Sequence, residues 1–244
     1  MPSSLPRDVQ EFLDRYPGGT DDRSRSANLK FYANERPCRP DNLLIDELHD
    51  QWWGDYESLE YNHGFPIQEH GMNFQSQPLQ PHEINAMKAN PQIIERLKKS
   101  YELMLDFYGM RVISFETGEL SRSENYKQRY KNLIRPGASH NNLRISRLLK
   151  CLSEFGLEHL NAGFLLHVLN EQSEHQILDT GGIQTSMDRW WANCIRNDAE
   201  RRWIGEEIEQ VRSDDEYVFT ADMYKAVLKS RQQDGVFPSH GSIS

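Results

Sequence analysis

A chain of 244 residues with a formal charge of −9 and a hydrophobic share of 37% is long enough for one substantial domain or two small ones, with polar tails around an ordinary core. The acidity argues against a general nucleic-acid binder, because neutralising phosphates needs a positive surface. No apolar run approaches the about 18–20 residues that cross a bilayer. Cys38, Cys151 and Cys194 are too few and too scattered for a disulfide framework or a paired zinc knuckle.

The N-terminus, MPSSLPRDVQEFLD, has no basic region ahead of an apolar one, so an intracellular, reduced setting is expected. Asp8 and Glu11 have capping-box spacing for a short helix with Val9, Phe12, Leu13 and Tyr16 on one side. PGGTDDRSRSAN then reads as a flexible linker. This sets residues 1–27 apart as a partly flexible extension, 28–212 as the main domain, and 213–244 as a polar tail with room for a short helix.

Asp41 is placed to cap a helix running to about Tyr61, with Ile45, Leu48, Trp52, Tyr56 and Leu59 along one stripe and Asp55 unexpectedly inside it. The irregular stretch GFPIQEHGMNFQSQPLQP follows. Pro81 opens a short helix, and Asn90–Pro91 supplies cap and first residue for a helix carrying Leu97, Tyr101, Met104 and Tyr108 up to Gly109. MRVISFETGEL has room for a short extended piece. Ser121 and Glu124 have capping-box spacing ahead of a helix that Pro136 and Gly137 break. From Ser139 a helix aligns Ile145, Leu148, Leu149, Leu152 and Phe155 and ends at Gly156. Leu157 to about Gln172 is helical again. Gly181 and Gly182 separate it from a long helix starting near Ser186 with Met187, Trp191, Cys194 and Ile195, and Thr220 caps a last one. The fold class is mainly α: a single bundle-like domain of helices with irregular connections.

His49, His63, Glu69 and His70 are metal-ligand types, but their spacing matches no compact motif, and polar loops commonly carry such residues. No serine sits in a nucleophile elbow and no cysteine has a catalytic flank, so no catalytic residue is assigned and no cofactor is expected. The helix SHNNLRISRLLK is more informative. His140, Arg144 and Arg147 form a basic stripe behind a polar helix start, which suits a carboxylate or phosphate. A solvated face with Lys150 paired to Glu154 competes with that reading. Trp52 and Tyr56 at helical spacing read as core. Asp55 beside them needs an Arg or Lys, or a cationic ligand group.

The strings NLKFYANE, YESLEYNH, SYELMLDFYG, NYKQRYKNL and SHNNLRISRLLKCL occur in an order that resembles the conserved region of the opioid growth factor receptor family, from about Asn28 to about Arg202. The resemblance implies a non-enzymatic, intracellular, perinuclear or nuclear protein that binds Met-enkephalin and restrains growth. It implies no seven-helix membrane receptor and assigns no binding residue. Two departures stand out. The family usually reads Ile-Gln-Trp-Leu-Phe between the residues matching Phe65 and Pro66, which are adjacent here. The chain also ends at Ser244 after the acidic EEIEQVRSDDE, without the basic runs of the family's animal tails.

For a pentapeptide such as Tyr-Gly-Gly-Phe-Met, Asp55 or Glu60 would receive the amine, with Trp52 and Tyr56 beside it. His140, Arg144 and Arg147 would receive the carboxylate. The alternatives are a protein-interaction scaffold that binds no opioid peptide and, last, a metal-dependent enzyme.

Overall fold

The computed structural model describes residues 5–61, 65–70 and 76–240. Among them are twelve α-helices and one two-stranded sheet, so the chain is mainly α. The N-terminal half runs α1 (Arg7–Leu13), α2 (Ala27–Tyr32), α3 (Ile45–Trp52), α4 (Tyr56–Tyr61), α5 (Pro81–Lys88) and α6 (Pro91–Tyr108). A hairpin of β1 (Met110–Val112) and β2 (Leu120–Arg122) follows. The rest is α7 (Tyr126–Ile134), α8 (Ser139–Glu154), α9 (Glu158–Ser173), α10 (Gly181–Arg189), α11 (Asp198–Ser213) and α12 (Ala221–Asp234).

Two helices organise the core. In α6, the Asn90 side chain accepts the Gln92 N–H at 3.0 Å, Pro91 takes the first turn, and Gly109 stops the helix at φ +92. Leu97, Tyr101, Met104, Leu105 and Tyr108 are fully buried against α3, α5 and α7. Helix α9 is enclosed from Leu160 to Gln172, as befits a helix with apolar residues all round. Its side-chain amides donate to backbone carbonyls. Asn161 donates to Leu149 O, Asn170 to Phe219 O, and Gln172 to Leu178 O. The antiparallel hairpin pairs Arg111 with Ser121 and rests its turn on α9. The approach is so close that a Cβ on Gly163 would lie 1.8 Å from the Gly118 carbonyl oxygen.

Three of the expected helices change. The helix drawn from Asp41 to Tyr61 is two helices: Gly54 turns the chain at φ +77, and the Asp55 carboxylate accepts the Ser58 N–H and hydroxyl at 3.1 and 2.7 Å to start α4. The apolar stripe continues across the break, which is why it reads as one. The long helix drawn from Ser186 is three pieces. Thr180 caps α10, whose first residues are the two glycines. A 3₁₀ turn spans Trp191–Asn193, and Asn197 accepts the Ala199 and Glu200 N–H groups to open α11. Ser121 lies in β2, so α7 begins without the Ser121–Glu124 box.

The residues of α1 have defined seats. Val9 and Phe12 are fully buried, and the Lys150 ammonium donates to Asp8 O at 3.1 Å and Asp8 Oδ2 at 3.0 Å. The stretch read as a flexible linker is tied down as well: the Asp22 N–H donates to Gln80, and the Asn28 and Leu29 N–H groups to Glu83.

Candidate functional site

Helix α8 carries Arg144, Arg147 and Lys150 three residues apart, so they share a face. Its three cations are engaged with Leu59, Glu60, Phe65 and Glu69. Arg144 donates to Leu59 O at 2.6 Å and Glu60 O at 3.4 Å, taking up carbonyls at the end of α4 that the helix itself leaves unbonded. Arg147 donates to Phe65 O at 3.4 Å. Burial pulls the Arg147 pKa down. Lys150 donates to Glu69 at 2.6 Å as well as to Asp8. Burial works against its charge, yet Glu69 and Asp8 outweigh this and hold its pKa above the ordinary lysine value. The expected Lys150–Glu154 pair does not form: Glu154 is held by Arg196 at 2.6 and 3.0 Å.

The other predicted residues divide. Trp52 is 6% exposed, inside the core. Asp55 is spent on its own helix, and the Ser58 hydrogen bonds hold its carboxyl below the usual range. Tyr56 lies under the Arg129 guanidinium, 3.6 Å from the ring centre, and donates to Asp106 at 3.0 Å. Glu60 takes Arg135 and His140, each at 3.1 Å. The structure therefore brings Tyr56, Glu60, His140 and Arg144 to one junction of α4 and α8, places Arg147 one turn along, and sends Trp52 inward. Every charge in this junction has a partner.

The histidine-rich loop is likewise structural where it is described. Phe65 and Ile67 are buried in the core. Glu69 accepts from Tyr16 and Lys150. His70 is exposed, and His63 lies outside the described residues. His49 is buried against the Ser100 hydroxyl at 2.8 Å, and burial lowers its pKa to about 4, so it is neutral at pH 7. Among the described residues no group of three or more His, Cys, Asp or Glu is placed to hold a metal.

The open feature is a cleft of about 720 Å³ between α5, the α8–α9 turn, the start of α11 and α12, within the range of small-ligand sites. Its charges are mixed. Arg196 is committed to Glu154, Arg231 to Glu200 at 2.7 Å, and Glu158 accepts the Arg196 N–H at 2.7 Å. Burial depresses the His159 pKa, and its ring donates to Phe115 O. Arg15 and Lys88 are exposed at the rim and have no side-chain partner among the described residues. Glu200, 6% exposed, keeps one buried oxygen, Oε2, without a hydrogen bond, and Arg231 keeps its Nε–H likewise. Sequence reasoning missed this group. Its members come from α1's end, α5, α11 and α12, and no spacing rule links them.

The conserved-region model of the opioid growth factor receptor matches residues 21–225. The opioid growth factor receptor of Mus musculus is 40% identical over 172 residues, covering 68% of this chain and 27% of the relative. The Homo sapiens receptor is 36% identical over 205 residues, covering 81% and 30%. The opioid growth factor receptor-like protein 1 of Mus musculus is 34% identical over 203 residues, covering 80% and 43%. The chain thus spans less than half the length of these relatives. No solved structure matches it, and no helix among the described residues is long and apolar enough to cross a membrane. With the family model covering residues 21–225, the chain belongs to the opioid growth factor receptor family.

Proposed function

We propose that the chain is a non-enzymatic, receptor-type domain that binds a short opioid-type peptide, Tyr-Gly-Gly-Phe-Met or a close relative, inside the cell, and through it modulates growth. The observation that carries the reading is the cleft beside α11. It has room for several residues of a peptide, and the exposed cations at its rim are of the kind a peptide's carboxylate satisfies. Family membership supplies the ligand class, since the relatives are named receptors for an opioid growth factor.

The α4–α8 junction supports the reading less well than the cleft. Arg144 and Glu60 are engaged with each other's helices, and a ligand there would have to break those bonds first.

Calorimetric titration of the folded chain with Tyr-Gly-Gly-Phe-Met, beside a scrambled pentapeptide, tests the proposal. Saturable binding of the first and weaker binding of the second is expected. A folded chain that binds neither refutes it, and the protein-interaction scaffold takes its place.

A further inference from the structure

The segment after α12 lies back across α11, and it is held there by the chemistry of peptide recognition. Trp203, Glu206 and Glu207 stand three and four residues apart on α11, so they share one face. On that face the Trp203 indole N–H donates to Pro238 O at 2.7 Å. The Phe237 and His240 rings stack on the indole at 4.5 and 4.7 Å, with interplanar angles of 23° and 10°. The two ring nitrogens of His240 each lie 3.1 Å from a carboxylate oxygen, one of Glu206 and one of Glu207.

A ring stack, an indole N–H on a backbone carbonyl and a proline in an irregular segment are the means by which aromatic-lined grooves hold proline-bearing peptides. Paired carboxylates beside them select a cation. Gly235, at φ +74, ends α12 and turns the chain back onto this seat. Trp203, Glu206 and Glu207 fall within the residues 21–225 that the family model matches, whereas the occupant, residues 235–240, falls outside them.

The occupant fits imperfectly at its charged end. An ionised carboxylate only accepts, so both nitrogens of His240 are satisfied only when the ring is protonated. A histidine carries that charge part of the time near neutral pH, and an arginine carries it always. Glu207, 1% exposed, also accepts from the Tyr217 hydroxyl, while Glu206 is 53% exposed. Arg231, the nearby cation of α12, lies 5.8 Å from the Phe237 ring and is committed to Glu200. Among the described residues, His240 is therefore the one cationic group paired with either Glu206 or Glu207.

We infer that this face of α11 is a docking site for an extended segment of a protein partner, of the form Phe-Pro-x-Arg, and that residues 235–240 fill it in cis as a weaker substitute. The partner's aromatic ring takes the place of Phe237, its proline carbonyl accepts from Trp203, and its fixed charge answers Glu206 and Glu207. This surface is separate from the peptide cleft and does not depend on it.

The test follows the Trp203 indole N–H resonance, assigned by its loss in Trp203→Phe, while the full chain is titrated with three peptides capped at both ends: Gly-Val-Phe-Pro-Ser-Arg, Gly-Val-Phe-Pro-Ser-His and Gly-Val-Phe-Pro-Ser-Ser. The same titrations are run on the double variant Phe237→Ser with His240→Ser, whose own segment no longer fills the seat, and on His240→Ser alone; circular dichroism verifies each fold. The double variant is expected to bind the Arg peptide saturably, about tenfold tighter than the Ser peptide, with the His peptide between them. The parent binds the Arg peptide about tenfold or more weakly than the double variant, because its linked segment competes. Adding Glu206→Gln narrows the preference for Arg over Ser. If the double variant fails to fold, His240→Ser decides, and it must bind the Arg peptide more tightly than the parent does. A folded variant whose Trp203 resonance no peptide moves, or one that takes the Arg and Ser peptides alike, overturns the docking site.

Discussion

Replacing Lys150 with Met keeps the buried stem and removes the ammonium, which isolates its electrostatic role. The side chain is 2% exposed and donates to Asp8 O, Asp8 Oδ2 and Glu69 Oε1 at 3.1, 3.0 and 2.6 Å. Tyr16 shares the same Glu69 oxygen at 2.8 Å, so one cation joins α1, the 65–70 segment and α8. Hydrogen bonds to charged groups contribute about 1.5–3 kcal/mol each, and breaking a buried ion pair costs about 3–5 kcal/mol. The Asp8 side chain is 44% exposed and recovers water, so its share is discounted; that of Glu69, at 20%, recovers less. A net loss of about 3 kcal/mol follows, or a fall in Tm of roughly 6–12 °C for a chain of this size. Urea unfolding followed by circular dichroism measures the first, and a thermal scan the second. Hydrogen exchange gives the local signature: protection lost over α1 first, since that helix hangs on Lys150 and on the Arg196 contacts to Phe12. A variant within about 1 kcal/mol of the parent, with α1 still protected, would refute the assignment of Lys150 as the tie between these segments.

Other expectations follow from the same packing. Gly163→Ala places a methyl where the Gly118 carbonyl sits; the urea midpoint should drop by the equivalent of at least about 2–3 kcal/mol, and an unchanged midpoint would show that the hairpin can lift off α9 freely. His49 and His167 are both buried with pKa values lowered to about 4 by burial. Since the unfolded histidine takes a proton near pH 6.5, each loses about 2 kcal/mol of stability between pH 7 and 5 as the unfolded state gains protons that the folded state refuses. His49→Gln should flatten part of that slope, and a parallel slope would contradict it. Trp52→Ala should cost about 3–5 kcal/mol as a core deletion and Asp55→Ala should lower the urea midpoint far less, as a lost cap, with peptide affinity preserved in whatever fraction folds.

How much of this the sequence discloses depends on how local the cause is. Asn90–Pro91, Gly109, Thr220 and Gly156 mark helix ends because caps and left-handed stops act within a turn. The Gly54–Asp55 break was legible in its residue types, but a continuous apolar stripe masked it, because two short helices packed on one core face preserve the same spacing. The same holds at Asn197–Asp198, a cap hidden inside an apparent long helix.

The polar architecture is not local at all. Lys150 meets Asp8 from 142 residues away, and Arg196 meets Phe12 from 184. The basic stripe of α8 was visible as a stripe; that it meets Leu59, Glu60, Phe65 and Glu69, rather than a ligand, depends on where α4 and the 65–70 segment lie. Arg15, Lys88, Glu200 and Arg231 come from separate helices or their ends, so only the packed fold shows that they line one cleft.

Hydrogen exchange of the chain with and without saturating Tyr-Gly-Gly-Phe-Met addresses the central claim most directly. Added protection is predicted in the segments that line the cleft, Ile84–Lys88, Glu154–His159, Arg196–Glu200 and around Arg231, with the α4–α8 junction from Tyr56 to Glu60 and His140 to Arg147 unchanged. Protection confined to that junction, or no change at any amide, would contradict a peptide seated in the cleft.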